Sequence, residues 1–215
     1  MDKKRGTSGV FITFEGGDGA GKTTLIEKLY SYLKKQSCDV VKTRAPGGTD
    51  LGQEIRRLLL EKREVPLSER AELLLFLADR AQHVDQIIRP ALKGKKILLC
   101  DRFNDSTYAY QGGARGFGEA LVRKLCDFSC DGLHPHLTLY LDLDPLIGLK
   151  RVKKAGLTKD RIESEKLPFH RSIRRAFHRI AKKEPKRFHL LDASQSPEAV
   201  FEDAKEKIDA LLKLY

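Results

Sequence analysis

Residues 16–23 read Gly16-Gly17-Asp18-Gly19-Ala20-Gly21-Lys22-Thr23 and fit G-x-x-x-x-G-K-[ST], the pattern of a loop that binds the phosphates of a nucleoside triphosphate. Glycine has no Cβ, so the backbone N–H groups of such a loop can turn inward and approach an anion closely. Lys22 places a cation against the β- and γ-phosphates, and the hydroxyl of Thr23 reaches a Mg²⁺ ion. The residues expected to bind the triphosphate are Gly16, Gly17, Asp18, Gly19, Ala20, Gly21, Lys22, Thr23 and Thr24.

The sequence on either side of this loop has the secondary structure that the pattern requires. Residues 10–14 form a short apolar run rich in β-formers, which predicts a strand. Leu25, Leu29 and Leu33 form one apolar stripe, which predicts a helix that runs to about residue 36. Because strand, loop and helix follow in the required order, a chance glycine-rich turn is a poor explanation of the pattern.

Short apolar strands alternate with helical patterns along the rest of the chain, which is typical of βαβ units. The prediction is a single α/β domain over residues 10–215, with a doubly wound, five-stranded parallel sheet and helices on both faces. A long helix is predicted from its N-cap Ser68 to about Arg89, where Pro90 would stop it. The predicted strands are 10–14, 39–43, 96–100, 137–142 and 187–191, and the remaining predicted helices are 50–62, 105–111, 118–131, 145–154, 163–183 and 197–213.

Composition favours a nucleotide-binding protein of the cytoplasm. The 215 residues include 41 basic and 30 acidic side chains, a net charge of +11, which favours polyanionic partners such as nucleotides or nucleic acid. Residues 1–9 are expected to be a flexible arm, and they lack the apolar core of a signal peptide. No apolar run approaches the length of a membrane span. Cys126, Cys130, His134 and His136 fit no common zinc-ligand spacing, so buried free thiols are favoured over a zinc site.

A second group of polar residues ends the third predicted strand. The apolar run 97–100 leads into Asp101, the place where proteins with a phosphate loop help to hold Mg²⁺, usually through water. Arg102 follows, and its planar guanidinium can bridge two phosphate groups. The Asp-x-x-Gly and Asn-Lys-x-Asp motifs of GTP-binding switches do not occur in their places. The residues therefore favour a kinase or an ATPase.

The segment 101–112 reads DRFNDSTYAYQG and resembles the signature D-R-[YFH]-x-x-S-[ST]-x-A-Y-Q-G of bacterial thymidylate kinases. Four more blocks agree in order and spacing, at residues 15–23, 43–49, 75–81 and 160–163, so the resemblance spans residues 10–212. It implies a P-loop nucleoside monophosphate kinase that uses ATP with Mg²⁺ to convert dTMP to dTDP. It also implies a homodimer with no tightly bound organic cofactor, no membrane partner and no specific nucleic-acid partner.

The resemblance assigns an acceptor site as well. It implies that Phe76 stacks on thymine and that Arg80, on the same helix face, bonds the O4 of the base. Thr107 occupies the place that the family uses for the N3 edge, and Tyr110 resembles the tyrosine that crowds the sugar C2′ and disfavours ribose. Asp18 would lie near the 3′-hydroxyl. The residues implied to bind dTMP are Asp18, Pro46, Arg56, Phe76, Arg80, Arg102, Ser106, Thr107, Tyr110 and Gln111.

Residues 150–161 are rich in lysine and arginine, with Gly156 as a hinge. The resemblance implies a mobile lid at about 150–162 that closes cations over the transferring phosphoryl group. Some family members carry an arginine within the phosphate loop. This chain has Gly19 there, which implies that the lid supplies the arginine. The implied catalytic residues are Lys22, Arg102, Arg151 and Arg161, and the implied metal contacts are Thr23, Asp101 and Glu163.

The chain departs at one place from the bacterial pattern Arg-Glu-Pro-Gly-Gly-Thr. Ala45 stands where that pattern has Glu. The departure removes a carboxylate from the acceptor side and leaves the triphosphate loop and the base pocket unchanged. Two alternatives stay open. One is a kinase for another pyrimidine monophosphate such as dUMP, and the other is a DNA-linked ATPase, which the basic charge would favour.

Overall fold

Five strands form one parallel sheet in the computed structural model, which describes residues 9–156 and 160–215. They are β1 (Val10–Gly16), β2 (Val40–Arg44), β3 (Ile97–Asp101), β4 (Leu137–Asp142) and β5 (Phe188–Asp192), in the order β2-β3-β1-β4-β5. Every pairing is parallel. The predicted α/β fold is confirmed, and each predicted strand is found within two residues of its predicted ends. Residues 1–8 of the predicted arm and 157–159 of the predicted lid lie outside the described residues.

Helices connect the strands and cover the sheet. They are α1 (Lys22–Lys35), α2 (Asp50–Leu60), α3 (Glu69–His83), α4 (Arg89–Lys93), α5 (Asn104–Thr107), α6 (Glu119–Cys130), α7 (Pro145–Lys154), α8 (Leu167–Lys183) and α9 (Pro197–Leu212). Two wider π-helical turns occur at Val84–Ile88 and Tyr108–Ala114. No helix within the described residues is long and apolar enough to cross a membrane.

The predicted stop of the long helix at Pro90 is wrong. The helix begins as predicted, since the Ser68 hydroxyl accepts a hydrogen bond from the amide of Ala71. At the far end the chain widens into the π-helical turn and continues as α4, with the Arg89 amide donating to the carbonyl of Val84. Pro90 falls in the first turn of α4. Proline is tolerated at this position, although it has no N–H group to donate. The helical path therefore continues through the π-helical turn and past Pro90 into α4.

Proline also explains a second difference. The helix predicted at 163–183 begins at Leu167, because Pro168 occupies its first turn and suits that position. Residues 161–165 form turns instead, closed by mutual hydrogen bonds between Asp160 and Glu163. The result is a compact connection between the predicted lid and α8.

The sheet is buried on both faces, as expected for parallel strands. Successive residues of β1 alternate between the two sides of the sheet. Ile12 and Phe14 pack with the apolar stripes of α1 and α9, while Phe11 packs against Val84 and Ile88 of the π-helical turn. All five strands run in the same direction, so their carboxyl ends and the loops that follow them meet at one edge. β1 is the central strand, which places its phosphate loop in the crevice at that edge.

Candidate active site

A cavity of about 530 Å³ opens at the carboxyl edge of the sheet. The P-loop after β1 lines it, together with side chains from β2, α2, α3, the end of β3 and the turn before α6. Of the residues predicted from the sequence, those that line it are Asp18, Gly19, Gly21, Lys22, Thr23, Thr24, Pro46, Arg56, Phe76, Arg80, Asp101, Arg102, Ser106, Thr107, Tyr110, Gln111, Arg151 and Glu163. The predicted residues that do not line it are Gly16, Gly17, Ala20 and Arg161.

The phosphate loop leaves the start of α1 open to an anion. Gly19 and Gly21 have φ angles of 69° and 95°, which glycine adopts without strain. Gly21 precedes α1 and offers no side-chain cap, so the first amides of the helix are left for a ligand. The Lys22 ammonium donates to the carbonyls of Gly16 and Gly17 at 3.1 and 3.2 Å. Burial lowers the pKa of Lys22, and the neighbouring Arg102 lowers it further.

The loop packs tightly against the helix that leads into the predicted lid. A Cβ added to Gly19 would overlap the backbone of Gly148 on α7, and a Cβ on Gly148 would overlap the carbonyl of Asp18. Arg151, one turn further along α7, donates to the Ala193 carbonyl at 3.2 Å and approaches the Gly19 carbonyl at 3.4 Å. The phosphate loop and α7 therefore meet backbone to backbone.

Arg102 enters the cavity from the end of β3 in a left-handed conformation, with φ at 70°. Its guanidinium lies 3.5 Å from the Asp18 carboxylate and donates to the Ser106 hydroxyl at 3.2 Å. Burial alone would lower the pKa of Arg102, but Tyr110 and the acids Asp18, Asp101 and Glu15 raise it. The guanidinium therefore stays charged and offers its paired N–H donors within the site.

The Arg102 loop is held by Glu15, a residue to which the sequence reasoning assigned no role. Glu15 is fully buried at the end of β1. It accepts from the amide of Phe103 at 2.8 Å and from the hydroxyl of Ser106 at 2.5 Å. Burial is the main reason that the pKa of Glu15 is raised to about 7. A charged residue within an otherwise apolar strand was the available signal, since such a residue needs buried partners.

Phe76 and Arg80 of α3 form the other part of the cavity. Phe76 is half-buried. Arg80 is only 2% exposed, and its guanidinium lies 4.3 Å from the ring centre of Phe103. Its Nη1 is buried with no hydrogen-bond partner among the described residues. A buried guanidinium nitrogen without a partner is costly, so this atom is poised for an acceptor on a ligand.

Thr107 and Tyr110 lie across from α3 in the same lining, and both are buried. The aromatic ring of Tyr110 is 5.3 Å from the Arg102 guanidinium. Burial raises the pKa of Tyr110, although Arg102 opposes the shift, so the phenol stays neutral near pH 7. This part of the cavity offers flat aromatic surface and uncharged hydroxyls, which suits a planar base and a sugar.

Two more arginines, Arg44 and Arg56, line the cavity. Arg56 of α2 donates to the Pro46 carbonyl at 3.0 Å. Arg44, at the end of β2, also lines the cavity and was missed in the sequence, although its place at the carboxyl end of a strand was a signal. Burial, and then Arg44, lower the pKa of Arg56. Two cations side by side indicate a place for a second anionic group.

The predicted lid contributes unequally. The residues of the predicted lid that line the cavity are Arg151, Val152, Ala155, Asp160 and Ile162, and Glu163 just after the lid lines it as well. The guanidinium of Arg161 instead donates to the buried carboxylate of Glu72 at 2.6 Å. Sequence reasoning gave Glu72 no role, because nothing local to α3 shows that an arginine far along the chain will meet it.

Thr23 and Asp101 could hold a metal ion beside the loop. Oδ1 of Asp101 is buried with no hydrogen-bond partner among the described residues, which leaves it available as a ligand. Within residues 9–156 and 160–215, no group of three or more His, Cys, Asp or Glu residues could hold a metal. A single carboxylate with a hydroxyl fits Mg²⁺, which is bound through one or two protein ligands plus phosphates and water.

A parallel sheet with a phosphate loop after its central strand, and one cavity lined by that loop, by aromatic side chains and by arginines, defines a P-loop nucleotide kinase. The family model described as thymidylate kinase matches residues 14–204 of the chain. The chain therefore belongs to the thymidylate kinase family.

Individual relatives agree with this result. The chain is 47% identical over 208 residues to thymidylate kinase of Protochlamydia amoebophila, covering 94% of this chain and 92% of the relative. It is 48% identical over 210 residues to that of Desulfovibrio desulfuricans, covering 95% and 97%. The crystal structure of thymidylate kinase from Ehrlichia chaffeensis superposes with a TM-score of 0.77 at 35% identity, covering 93% and 98% of the two chains.

Proposed function

We propose that this enzyme transfers the γ-phosphoryl group of ATP to dTMP and releases dTDP and ADP. Membership of the thymidylate kinase family supports the proposal. The observation that carries it is one cavity lined both by Lys22 of the phosphate loop and by Phe76 and Arg80 of α3. Two nucleotides can lie in that cavity with their phosphates facing each other.

In the proposed reaction, an oxygen of the dTMP phosphate attacks the γ-phosphorus of ATP. The bond from that phosphorus to the β–γ bridging oxygen breaks, and its electron pair leaves on ADP. The acceptor phosphate has a second pKa of about 6 and is largely ionised at neutral pH, so no general base is needed. Catalysis then consists of alignment and of neutralising the charge that spreads over the transferring group.

Lys22, Arg102 and Arg151 supply the positive charge in this proposal. The carbonyls that now accept from Lys22 would be replaced by phosphate oxygens of ATP. Arg102 would lie where the two nucleotides meet, and the adjacent Asp18 carboxylate would orient its guanidinium. Arg151 stands against the loop at the Gly19 carbonyl. Arg161 is not assigned to the phosphates, because its guanidinium is already paired with a buried carboxylate.

The acceptor is proposed to bind with thymine on the ring of Phe76 and its O4 against the unpartnered Nη1 of Arg80. Thr107 would meet the N3 edge, and Tyr110 would close the space beside the sugar C2′. The remaining proposed dTMP contacts are the 5′-phosphate contacts of Arg56 and Arg102 and polar or packing contacts of Asp18, Pro46, Ser106 and Gln111.

Mg²⁺ is proposed to accompany ATP and to be held by Thr23 and Asp101, with Glu163 as a further acid near the phosphates. When bound, it would supply positive charge that helps to neutralise the phosphates of ATP during the transfer. The protein fixes the orientation of these groups. Burial, followed by the adjacent Asp160, raises the pKa of Glu163, so its carboxylate gains from a nearby cation.

A homodimer in the cytoplasm, with no nucleic-acid partner, completes the proposal. Leu121 and Phe128 lie two turns apart on one face of α6 and are 50% and 88% exposed, and Leu74 of the adjoining α3 is 57% exposed. Exposed apolar side chains grouped in this way favour an interface. Light scattering after gel filtration should give a dimer, and Phe128→Glu should shift the mass toward a monomer. A monomeric wild type would overturn this part.

A coupled assay of ADP release across dTMP, dUMP, UMP, CMP, AMP and GMP tests the proposed reaction. The highest kcat/KM should be with dTMP, and ATP hydrolysis without an acceptor should be slow. A higher kcat/KM with dUMP than with dTMP would mean that dUMP is the acceptor. ATP hydrolysis that duplex DNA stimulates and dTMP does not would replace the kinase by a DNA-linked ATPase.

A further inference from the structure

Glu72 is a buried carboxylate at which three parts of the molecule meet. It lies on α3, four residues before Phe76 and so on the same helix face, and is 1% exposed. Gln111 donates to its Oε1 at 2.8 Å, and Arg161 donates to its Oε2 at 2.6 Å. Arg115 donates to both oxygens at 3.2 Å. One carboxylate thus joins the base pocket, the predicted lid and the turn before α6.

The partners of Glu72 keep it ionised. Burial alone would raise the pKa of this carboxyl, but the hydrogen bonds from Arg115, Gln111 and Arg161 hold it below its usual value. An ionised carboxylate only accepts hydrogen bonds. The side of each neighbouring group that faces Glu72 must therefore be a donor.

This requirement fixes the orientation of Gln111. The Gln111 side chain is 1% exposed and lines the cavity. Its amide nitrogen has to face Glu72, so the amide oxygen is the end left to meet a base. Thymine carries a donor, N3–H, at the place where cytosine carries an acceptor, N3. An amide held with its oxygen toward the base would accept from thymine N3–H and repel cytosine. The Thr107 hydroxyl, proposed to meet the same edge, can donate or accept and so does not discriminate between the two bases.

The same carboxylate holds the far end of the predicted lid. Besides its bond to Glu72, Arg161 donates through Nε to the carbonyl of Leu59, and its amide donates to the carbonyl of Leu60. Its neighbours Asp160 and Ile162 line the cavity while Arg161 does not. Arg161 therefore acts as the anchor that turns the adjoining residues toward the site.

We propose that Glu72 is a positioning residue that sets which pyrimidine is accepted, by orienting the amide of Gln111, and that ties the lid to the base pocket through Arg161. The proposal rests on the proposed dTMP kinase activity. It assigns no contact between Glu72 and substrate. It also makes Arg161 part of the lid's anchor, separate from the cations that touch the phosphates.

Glu72→Gln tests the specificity part. A glutamine at 72 can donate as well as accept, which lets the Gln111 amide turn over. The ratio of kcat/KM for dTMP to that for dCMP should fall roughly 5- to 100-fold, the range for one mispaired buried hydrogen bond. The KM for ATP should change less than twofold. Glu69→Gln is the matched control, because Glu69 is exposed and lies 3.9 Å from the same Arg115. It should leave the ratio unchanged.

A purely structural role would lower the melting temperature or raise both KM values while leaving the dTMP-to-dCMP ratio unchanged, and this result would overturn the specificity part. If the wild type does not phosphorylate dTMP at all, the proposed function itself is wrong. This result is distinct from a failure of the specificity part alone.

Arg161→Gln keeps Glu72 paired with Arg115 and Gln111, and it tests the lid part even if Glu72→Gln fails to fold. We expect kcat to fall and acceptor-free ATP hydrolysis to change, with the dTMP-to-dCMP ratio kept and partial rescue in Arg161→Lys. An unchanged kcat in Arg161→Gln would contradict the proposed role of Arg161 as an anchor. In the double variant with Glu72→Gln, the loss in kcat should be smaller than the product of the single losses, and simple multiplication would mean that the residues are not coupled.

Discussion

At the scale of single residues, the site depends on cations that the backbone places before any substrate arrives. Lys22 is already directed at loop carbonyls, and Arg102 is fixed in a left-handed conformation by a buried acid behind it. Cations placed in advance need little rearrangement when charge develops on the transferring phosphoryl group.

Replacing Lys22 by alanine should lower kcat by about two to three orders of magnitude, the range seen when one stabilising group is removed from a transition state. The fold should survive, because Lys22 is only half-buried and bonds only to loop carbonyls. Steady-state kinetics and a melting curve measure both effects. Lys28→Ala is the control on the same helix, since Lys28 pairs with the exposed Glu198. A similar loss in kcat for both variants would contradict the assignment.

Phe76→Ala should raise the KM for dTMP by roughly 5- to 150-fold, because stacking a base on an aromatic ring contributes about 1–3 kcal/mol. The KM for ATP should stay within about twofold, since the loop is untouched. Arg70→Ala, at an exposed position on the same helix, should leave both values unchanged. An equal rise in the two KM values for Phe76→Ala would count against stacking.

At the scale of secondary-structure elements, the end of α3 is joined to β2 and the turn after it by one histidine. His83 is fully buried, and its Nε2 lies 2.6 Å from the Thr43 hydroxyl. A Cβ on Gly48 would come within 2.5 Å of the same ring nitrogen, so glycine is required there by close approach. Burial lowers the pKa of His83 from 6.5 to about 3, and Arg80 nearby adds to the shift.

Acid should weaken this junction. The unfolded chain protonates His83 near its ordinary pKa of 6.5, whereas the folded chain resists protonation down to about 3. The unfolded state therefore binds more protons in this window, and stability falls as the pH decreases from about 6.5. Between pH 7 and pH 5 the expected loss from this group is about 2 kcal/mol.

Urea unfolding of the wild type and of His83→Gln at pH 5, 6 and 7 measures this loss, because the variant should lack the His83 contribution to the pH slope. His134→Gln serves as the control, since His134 is exposed. The same slope in wild type and His83→Gln would show that this histidine is not the group responsible.

At the scale of the whole molecule, the proposed acceptor pocket is lined by residues of α2, α3, the turn before α6 and the predicted lid, so bound dTMP should stabilise all of these elements together. At about 100 times its Kd, dTMP should add about 2.7 kcal/mol of stability, or about 5–10 °C in melting temperature for a chain of this size. Thermal denaturation with dTMP, with dAMP as control, checks this. An equal shift with dAMP would contradict a pyrimidine pocket.

Sequence patterns predicted the strands and the phosphate loop well, because both signals are local. The apolar run before Gly16 and the spacing to Lys22 need no distant contact to be read. The continuation past Pro90 was not predictable, since it depends on a wider turn that packs under the sheet. The same limit explains Arg161, whose basic neighbours indicate a lid while its actual partner, Glu72, is far away in sequence.

The close meeting of Gly19 and Gly148 restricts how this enzyme could change. A side chain at position 19 would collide with the α7 backbone, and its φ of 69° disfavours any residue but glycine. One substitution therefore cannot place an arginine in this loop without moving α7. A shift of α7 would also move Arg151, so an arginine in the loop and the proposed role of Arg151 exclude each other in this architecture.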